Sequence, residues 1–284
     1  MKKCLLIGAG SDLGVHIDGA RNGPKEILKL QKERKILLEQ DKKIIKSLSD
    51  SDLRKNLKEV NNFNQKLYEV IEKENDFCIT IGGDHSIAIA SGFASLKKHK
   101  NLGLIWIDAH LDYNTFETTI TGNLHGLPLA TLNGLNEDLR PFEKENFYNP
   151  KYTVVVGYRA MESNAIKEIE NIKAMGVTVF TTNDINEMGI NKVMELALKI
   201  ANNNTFGVHI SFDLDVIDPD IARGVTVKEK NGINLKQVQE ITDILIKQDT
   251  IKSFDLVEYN PLNDTDKKTL EIAQFIIEKV KRNL

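Results

Sequence analysis

From end to end the chain alternates between short runs of apolar, largely β-branched residues and longer segments whose apolar residues recur at helical spacing. That rhythm constrains the fold more than any single motif does. The runs at 4–7, 77–81, 104–107, 153–156, 177–180, 208–212 and 253–257 are nearly continuous in apolar character, as expected of strands covered on both faces. Helical segments fall between them. One starts at Gly23-Pro24 and runs through Ile27, Leu28 and Leu30, with the proline in its first turn, where a missing N–H is harmless. Others cover 57–72, 87–98, 163–175, 191–201, 235–247 and 266–281. Strand then helix, repeated, predicts βαβ units and a doubly wound, mostly parallel α/β sheet. The polar stretch 41–56 fits neither pattern. No linker, repeat or low-complexity segment divides the 284 residues, so one domain spanning 1–284 is expected.

Composition narrows the function classes. The net charge of −3 lacks the basic excess of a nucleic-acid binder, and the lysines are interspersed with acidic residues as on solvated helix faces. No window reaches the ~20 apolar residues of a membrane span. The apolar run after Lys2 and Lys3 is too short for a signal peptide, so a soluble cytoplasmic protein is expected. Cys4 and Cys78 lie inside apolar runs without a CxxC pattern and read as buried thiols rather than a disulfide or metal pair.

Four polar clusters follow strand candidates, where ligands gather in open parallel sheets. They are Gly82-Gly83-Asp84-His85-Ser86, Asp108-Ala109-His110-Leu111-Asp112, Ser211-Phe212-Asp213-Leu214-Asp215 and Glu258-Tyr259-Asn260-Pro261. In D-x-H-x-D and D-x-D the candidate ligands stand two apart, so in extended chain they would point the same way. His85 follows two glycines that permit a tight turn. Four aspartates and two histidines are too many for one ion but suit two that share carboxylates. Oxygen-rich ligation with a little imidazole favours Mn²⁺ over zinc, with Fe²⁺ or Co²⁺ compatible. Two such ions, roughly 3.5–4 Å apart, can ionise a water between them. A lone D-x-D or GGDH after a strand is ordinarily a turn or cap, whereas all of these clusters in one chain point to metal. His99, flanked by lysines, reads as solvent-facing, and His209, inside a strand, as a satisfied core histidine. His16 lies in a glycine-rich loop near Asp18 and is set aside as a ligand.

The segments GGDHS, DAHLD and SFDLDVIDP resemble those of the ureohydrolase family (arginases, agmatinases and formiminoglutamases), and the likeness runs from about Leu5 to the C-terminal helix. The resemblance implies a single α/β domain around a parallel sheet of about eight strands, two Mn²⁺ per subunit, and assembly as a homo-trimer or homo-hexamer. It makes His85, Asp108, His110, Asp112, Asp213 and Asp215 the metal ligands, with Asp108 and Asp213 bridging. It matches His125, in Asn123-Leu124-His125-Gly126, to the family's catalytic histidine, and Glu258 to a glutamate before an N-P pair. Glu258 would then pair with two N–H groups of a guanidinium, His125 would carry a proton to the leaving amine, and Asp112 would relay one from the attacking hydroxide. Asn114 and Thr121 match arginase positions that bind a substrate α-carboxylate, Thr121 standing where serine is usual.

The implied reaction is hydrolysis of L-arginine to L-ornithine and urea by a dimanganese-bound hydroxide; agmatine or another guanidino or formimino substrate is the alternative. Three departures stand out. The G-T-G-T-P loop of arginases is Arg223-Gly224-Val225-Thr226-Val227-Lys228 here, leaving Thr226 as the nearest pocket threonine. Glu162 stands for an ammonium-binding aspartate, and Ala165 for a glutamate found in some arginases. A dinuclear phosphoesterase would need later histidines, and none follows His209. A non-catalytic amino-acid-binding relative would not need His125 and Glu258.

Overall fold

The structure, a computed structural model, describes residues 4–41, 56–142, 146–159 and 166–282. Eight strands form one sheet in the order β2-β1-β3-β8-β7-β4-β5-β6, and every pairing is parallel. They are β1 (Cys4–Gly10), β2 (Lys35–Glu39), β3 (Phe77–Gly82), β4 (Gly103–Ile107), β5 (Thr153–Tyr158), β6 (Thr178–Thr181), β7 (Val208–Asp213) and β8 (Ile251–Val257). The helices are α1 (Gly23–Lys29), α2 (Leu57–Lys73), α3 (Ala88–His99), α4 (Pro128–Leu132), α5 (Ile166–Met175), α6 (Thr182–Met188), α7 (Ile190–Ala201), α8 (Leu235–Leu245) and α9 (Lys268–Lys281).

Side chains that alternate along a strand feed two separate cores. Leu5, Ile7, Leu104, Trp106 and Val155 pack on one face with α2, α3 and α4. Leu6, Ile105, Ile107, Val154 and Val156 pack on the other with α1, α7, α8 and α9. Burial on both faces is why the strands read as continuous apolar runs.

Two kinds of element depart from the sequence reading. The strand β2 follows α1 within the charged stretch QKERKILLEQ and was not anticipated: as an edge strand it alternates exposed and half-buried residues, so its apolar signal is diluted by Lys35 and Glu39. The helices α4 and α6 are only five and seven residues long, too short for a periodicity to register. Residues 42–55, most of the unassigned polar stretch, and 163–165, the expected start of α5, lie outside the described residues.

The four polar clusters leave the carboxyl ends of β3, β8, β7 and β4, four adjacent strands at the centre of the sheet. Their loops open on the same edge of the molecule, which places sequence-distant residues around one point.

Candidate metal centre

After β3 the chain turns through Gly83, where an added Cβ would lie 1.9 Å from the Ser11 carbonyl oxygen. Only glycine fits against β1 there. Asp84 then caps a single 3₁₀ turn, accepting the amides of Ser86 and Gly14 at 2.8 and 2.9 Å, and this turn presents His85. The His85 Nε2 is bound to Ser211 Oγ at 2.8 Å, and its ring lies flat on Trp106, centroids 4.0 Å apart. Both contacts fix the ring so that Nδ1 faces three carboxylates. Asp108, Asp112 and Asp213 each bring Oδ2 to 3.0–3.1 Å from that nitrogen. None of these approaches has hydrogen-bonding geometry, and Nδ1 is buried without a hydrogen-bond partner.

His110 gathers the second group: its Nδ1 is 2.9 Å from Asp215 Oδ2 and 3.4 Å from Asp108 Oδ1. Two sets of side chains thus have the spacing of a metal site, His85–Asp108–Asp213 and Asp108–His110–Asp215. Asp108 belongs to both. Asp213 is in the first, and its Oδ1 accepts the Asp215 amide at 2.7 Å.

The route to this convergence is not the extended alternation that the spacing predicts. Asp108, His110 and Asp112 lie beyond the end of β4 in a bent loop, and Asp112 has φ of 48°. Asp215 lies in a 3₁₀ turn after β7. Arg159 pins this turn from behind: its guanidinium donates to the carbonyls of Asp215, Val216, Glu229 and Lys230 at 2.7–3.0 Å.

Electrostatics give a test of fit. Burial and then Asp215 and Asp108 push the Asp213 carboxyl well above its ordinary range; burial and then Asp108 push Asp112 up to about 6. Burial disfavours a charged imidazole at His85 and His110, yet the surrounding carboxylates outweigh it and raise both. The cluster draws positive charge to itself. Four carboxylates and two imidazoles, with an imidazole nitrogen aimed at oxygens it does not bond, fit a pair of divalent cations.

Next to this cluster His125 Nδ1 is bound to Glu258 Oε1 at 2.8 Å. The same oxygen accepts the His85 backbone N–H at 2.9 Å, while Glu258 Oε2 is buried with no hydrogen bond. Glu258 reaches this position through a backbone φ of 66° just after β8, with its own amide on the Gly83 carbonyl at 2.8 Å. Burial opposes charge on His125, but Glu258, then Asp112 and Asp84, outweigh it and bring the ring to about 9. Burial likewise opposes a charged Glu258, and the His125 ring holds the carboxyl below its usual range, helped by the His85 backbone N–H.

All of this opens on one cavity. His85, His110, Asp112, His125, Asp213, Asp215 and Glu258 line it, as do Asn114 and Thr121. Thr226 does not. It is buried beside Glu258, and Val227 takes the lining position. An isolated bridge between Val225 and Tyr259 holds this loop against the strand end that carries Glu258. Glu162 and Ala165 lie outside the described residues.

His209 is a satisfied core histidine between Ser253 and Asp255, at 2.7 and 3.1 Å. His16 binds Asn123 and does not line the cavity, and His99 is half-buried at the end of α3. Cys78 is buried and Cys4 half-buried, both as free thiols that burial pushes up to about 11 and 12.

The sequence reading passed over Trp106, Ser211 and Glu168. Trp106, whose Nε1–H donates to Asp108 Oδ2 at 2.9 Å, and Ser211 each stand two residues before an aspartate of the cluster, on the same strand period. That offset was the available signal. Glu168, on α5, lines the cavity and carried no motif signal.

A model of the Arginase family matches residues 2–280. An arginase from Bacillus caldovelox is 35% identical over 231 residues, covering 79% of this chain and 75% of that protein. The crystal structure of an arginase from Bacillus subtilis has a TM-score of 0.86 to this one at 32% identity, over 98% of each chain. That of Entamoeba histolytica arginase in complex with L-ornithine reaches 0.87 at 28% identity, again over 98% of each.

Proposed function

The chain belongs to the arginase family, and from that premise we propose that it hydrolyses L-arginine to L-ornithine and urea at a pair of Mn²⁺ ions. The observation that carries the metal part is His85 Nδ1: three carboxylate oxygens stand within 3.1 Å of it and none is hydrogen-bonded to it. Those atoms have the spacing of a cation's donor set rather than of a hydrogen-bonded cluster. His85, Asp108, Asp112 and Asp213 would hold one ion, and His110, Asp215 and the shared Asp108 the other. Mn²⁺ suits a donor set this rich in oxygen.

When bound, the paired ions would supply ionised water at neutral pH for attack on the guanidinium carbon. The chain's own groups do the rest. Glu258 is fixed through Oε1 by the His85 amide and the His125 ring, so Oε2 is the oxygen left to accept guanidinium N–H groups. One oxygen, not two, makes that pairing, and it aims the carbon at the nucleophile. Asp112 lines the cavity where Asp108 does not, and would take the proton left on the attacking hydroxide oxygen as the urea carbonyl forms. Glu258 favours the charged form of His125 and holds it by Nδ1, which leaves Nε2 to give its proton to the departing amine. Asn114 and Thr121 offer neutral donors to an α-carboxylate. The same reading carries self-association as a homo-trimer or homo-hexamer in the cytoplasm, checked by light scattering and cell fractionation.

The deciding experiment is urea release from Mn²⁺-loaded protein with arginine, agmatine and 4-guanidinobutyrate in parallel. Arginine should be the best substrate, by roughly 100-fold in kcat/KM over agmatine. If agmatine is the better substrate, the arginine reading falls and the metal chemistry stands.

A further inference from the structure

The two histidines of the metal cluster are held from behind in different ways. His85 turns Nδ1 to the carboxylates, while its outer nitrogen, Nε2, meets the neutral Ser211 hydroxyl at 2.8 Å and Trp106 backs the ring. His110 turns Nδ1 to Asp215 and Asp108, and its outer nitrogen faces a carboxylate, Glu229 Oε1, at 3.8 Å. No aromatic ring stacks on His110 among the described residues. Glu229 lies in the loop between β7 and α8 and does not line the cavity. Its side chain is 33% exposed, against 4% for Asp215, so its charge sits outside the buried cluster.

The backbone brings Glu229 there together with Asp215. One guanidinium, that of Arg159, donates to the Asp215 carbonyl at 2.7 Å and to the Glu229 carbonyl at 2.9 Å. Further along the loop Asp218 accepts the Gly232 amide at 3.0 Å, and Ile217 bridges Ile233. The His110 ring thus lies between two carboxylates of one clamped segment, Asp215 on its inner side and Glu229 on its outer side. An imidazole that gives Nδ1 to a cation carries its ring proton on Nε2. At 3.8 Å the carboxylate is beyond hydrogen-bond length, and rotation about its side-chain torsions can bring it within reach of that N–H. A carboxylate acceptor fixes the tautomer, holds the ring plane and makes the metal-facing nitrogen a stronger donor. A hydroxyl such as Ser211 does the first two and less of the third.

We propose that Glu229 is a positioning residue that accepts the His110 Nε2–H, so that the ion held by His110 and Asp215 depends on it and the ion held by His85 does not. The inference rests on the paired-metal reading and adds an inequality between the two ions.

The test is equilibrium dialysis of the metal-free full chain against Mn²⁺, the parent beside Glu229→Gln and Glu229→Ala. Glutamine keeps an acceptor oxygen without the charge, and alanine keeps neither. One of the two dissociation constants should rise, by about 10-fold with glutamine and about 100-fold with alanine, and the other should hold. Anomalous scattering from crystals of the alanine variant grown at limiting Mn²⁺ should show the His85 position filled and the His110 position depleted. Thermal midpoints of the metal-free parent and variants should coincide, which a folding defect would not allow. Raising Mn²⁺ should restore urea release, because Glu229 touches no substrate. Equal weakening of both ions would make Glu229 a general structural residue, and unchanged constants would remove it from the centre; either result overturns the proposal. A parent that binds fewer than two Mn²⁺ overturns the paired-metal reading along with it, whereas two ions in the parent and no selective loss in the variants overturn the proposal alone.

Discussion

Glu258 meets two demands with one carboxyl: Oε1 anchors the His85 turn and the His125 ring, and Oε2 remains for substrate. Glu258→Gln preserves the shape and removes the charge, so turnover should fall by ~10²-fold or more while metal content, read by elemental analysis, stays the same. The variant should also lower the His125 pKa. In the metal-free parent that ring titrates at about 9 because nearby carboxylates favour its charged form. Deleting the nearest negative charge disfavours that form, so the midpoint moves down. Imidazole NMR of metal-free parent and variant checks the direction, and an unchanged midpoint would mean that Glu258 is not its partner. The shared donor makes a second expectation. Asp108→Ala removes the carboxylate common to both groups and should leave less than one tightly bound metal per chain. Asp213→Ala disturbs the His85 group alone and should retain the ion held by His110 and Asp215. Metal-to-protein ratios after gel filtration separate the two outcomes; equal losses would mean that Asp213 also bridges.

At the scale of elements, the sequence carried most of the sheet and little of its edges. Seven strands were legible because burial on both faces makes each a continuous apolar run, and β2 was not, because its exposed row carries Lys35 and Glu39. The polar clusters could be assigned to strand ends, but their local shapes could not. Asp112 and Glu258 adopt left-handed backbone that neither residue type announces, and the His125–Glu258 bond joins positions 133 residues apart. Such features depend on which strands become neighbours, and spacing along the chain does not encode that. Likewise the pattern around Thr226 named the right loop and the wrong lining residue, because the bridge to Tyr259 decides which side chain faces the cavity. The β3 turn makes a testable case. Gly83→Ala would drive a methyl into the Ser11 carbonyl, so β1 and the His85 turn must part, at a cost of roughly 3 kcal/mol. Urea denaturation should show the lowered midpoint, and a loss below ~0.5 kcal/mol would mean that the turn relaxes freely.

Taken whole, the molecule gathers buried carboxylates at one edge of its sheet, and without metal their repulsion is met by protons held on the neighbouring imidazoles and carboxyls. Binding of cations to the folded chain alone should stabilise it by about 2.7 kcal/mol per site at a hundredfold excess over Kd. The thermal midpoint should therefore climb with Mn²⁺ concentration and fall on chelation, while far-UV circular dichroism stays near native. Scanning calorimetry measures the shift; a midpoint indifferent to chelator would argue against a site built from these carboxylates. The strand order has a consequence for how the chain comes into being. The first six strands can pair only as two separate trios, β2-β1-β3 and β4-β5-β6, since β8 and β7 fill the gap between them. A nascent polypeptide emerging from the ribosome would present His85 on one trio and Asp108 and His110 on the other, with no backbone ladder joining them. The seam closes only when the last third of the chain arrives, bringing Asp213, Asp215 and Glu258 with it. Capture of a metal pair is thereby a late event in biogenesis, and a prematurely terminated chain would be inert rather than partly active.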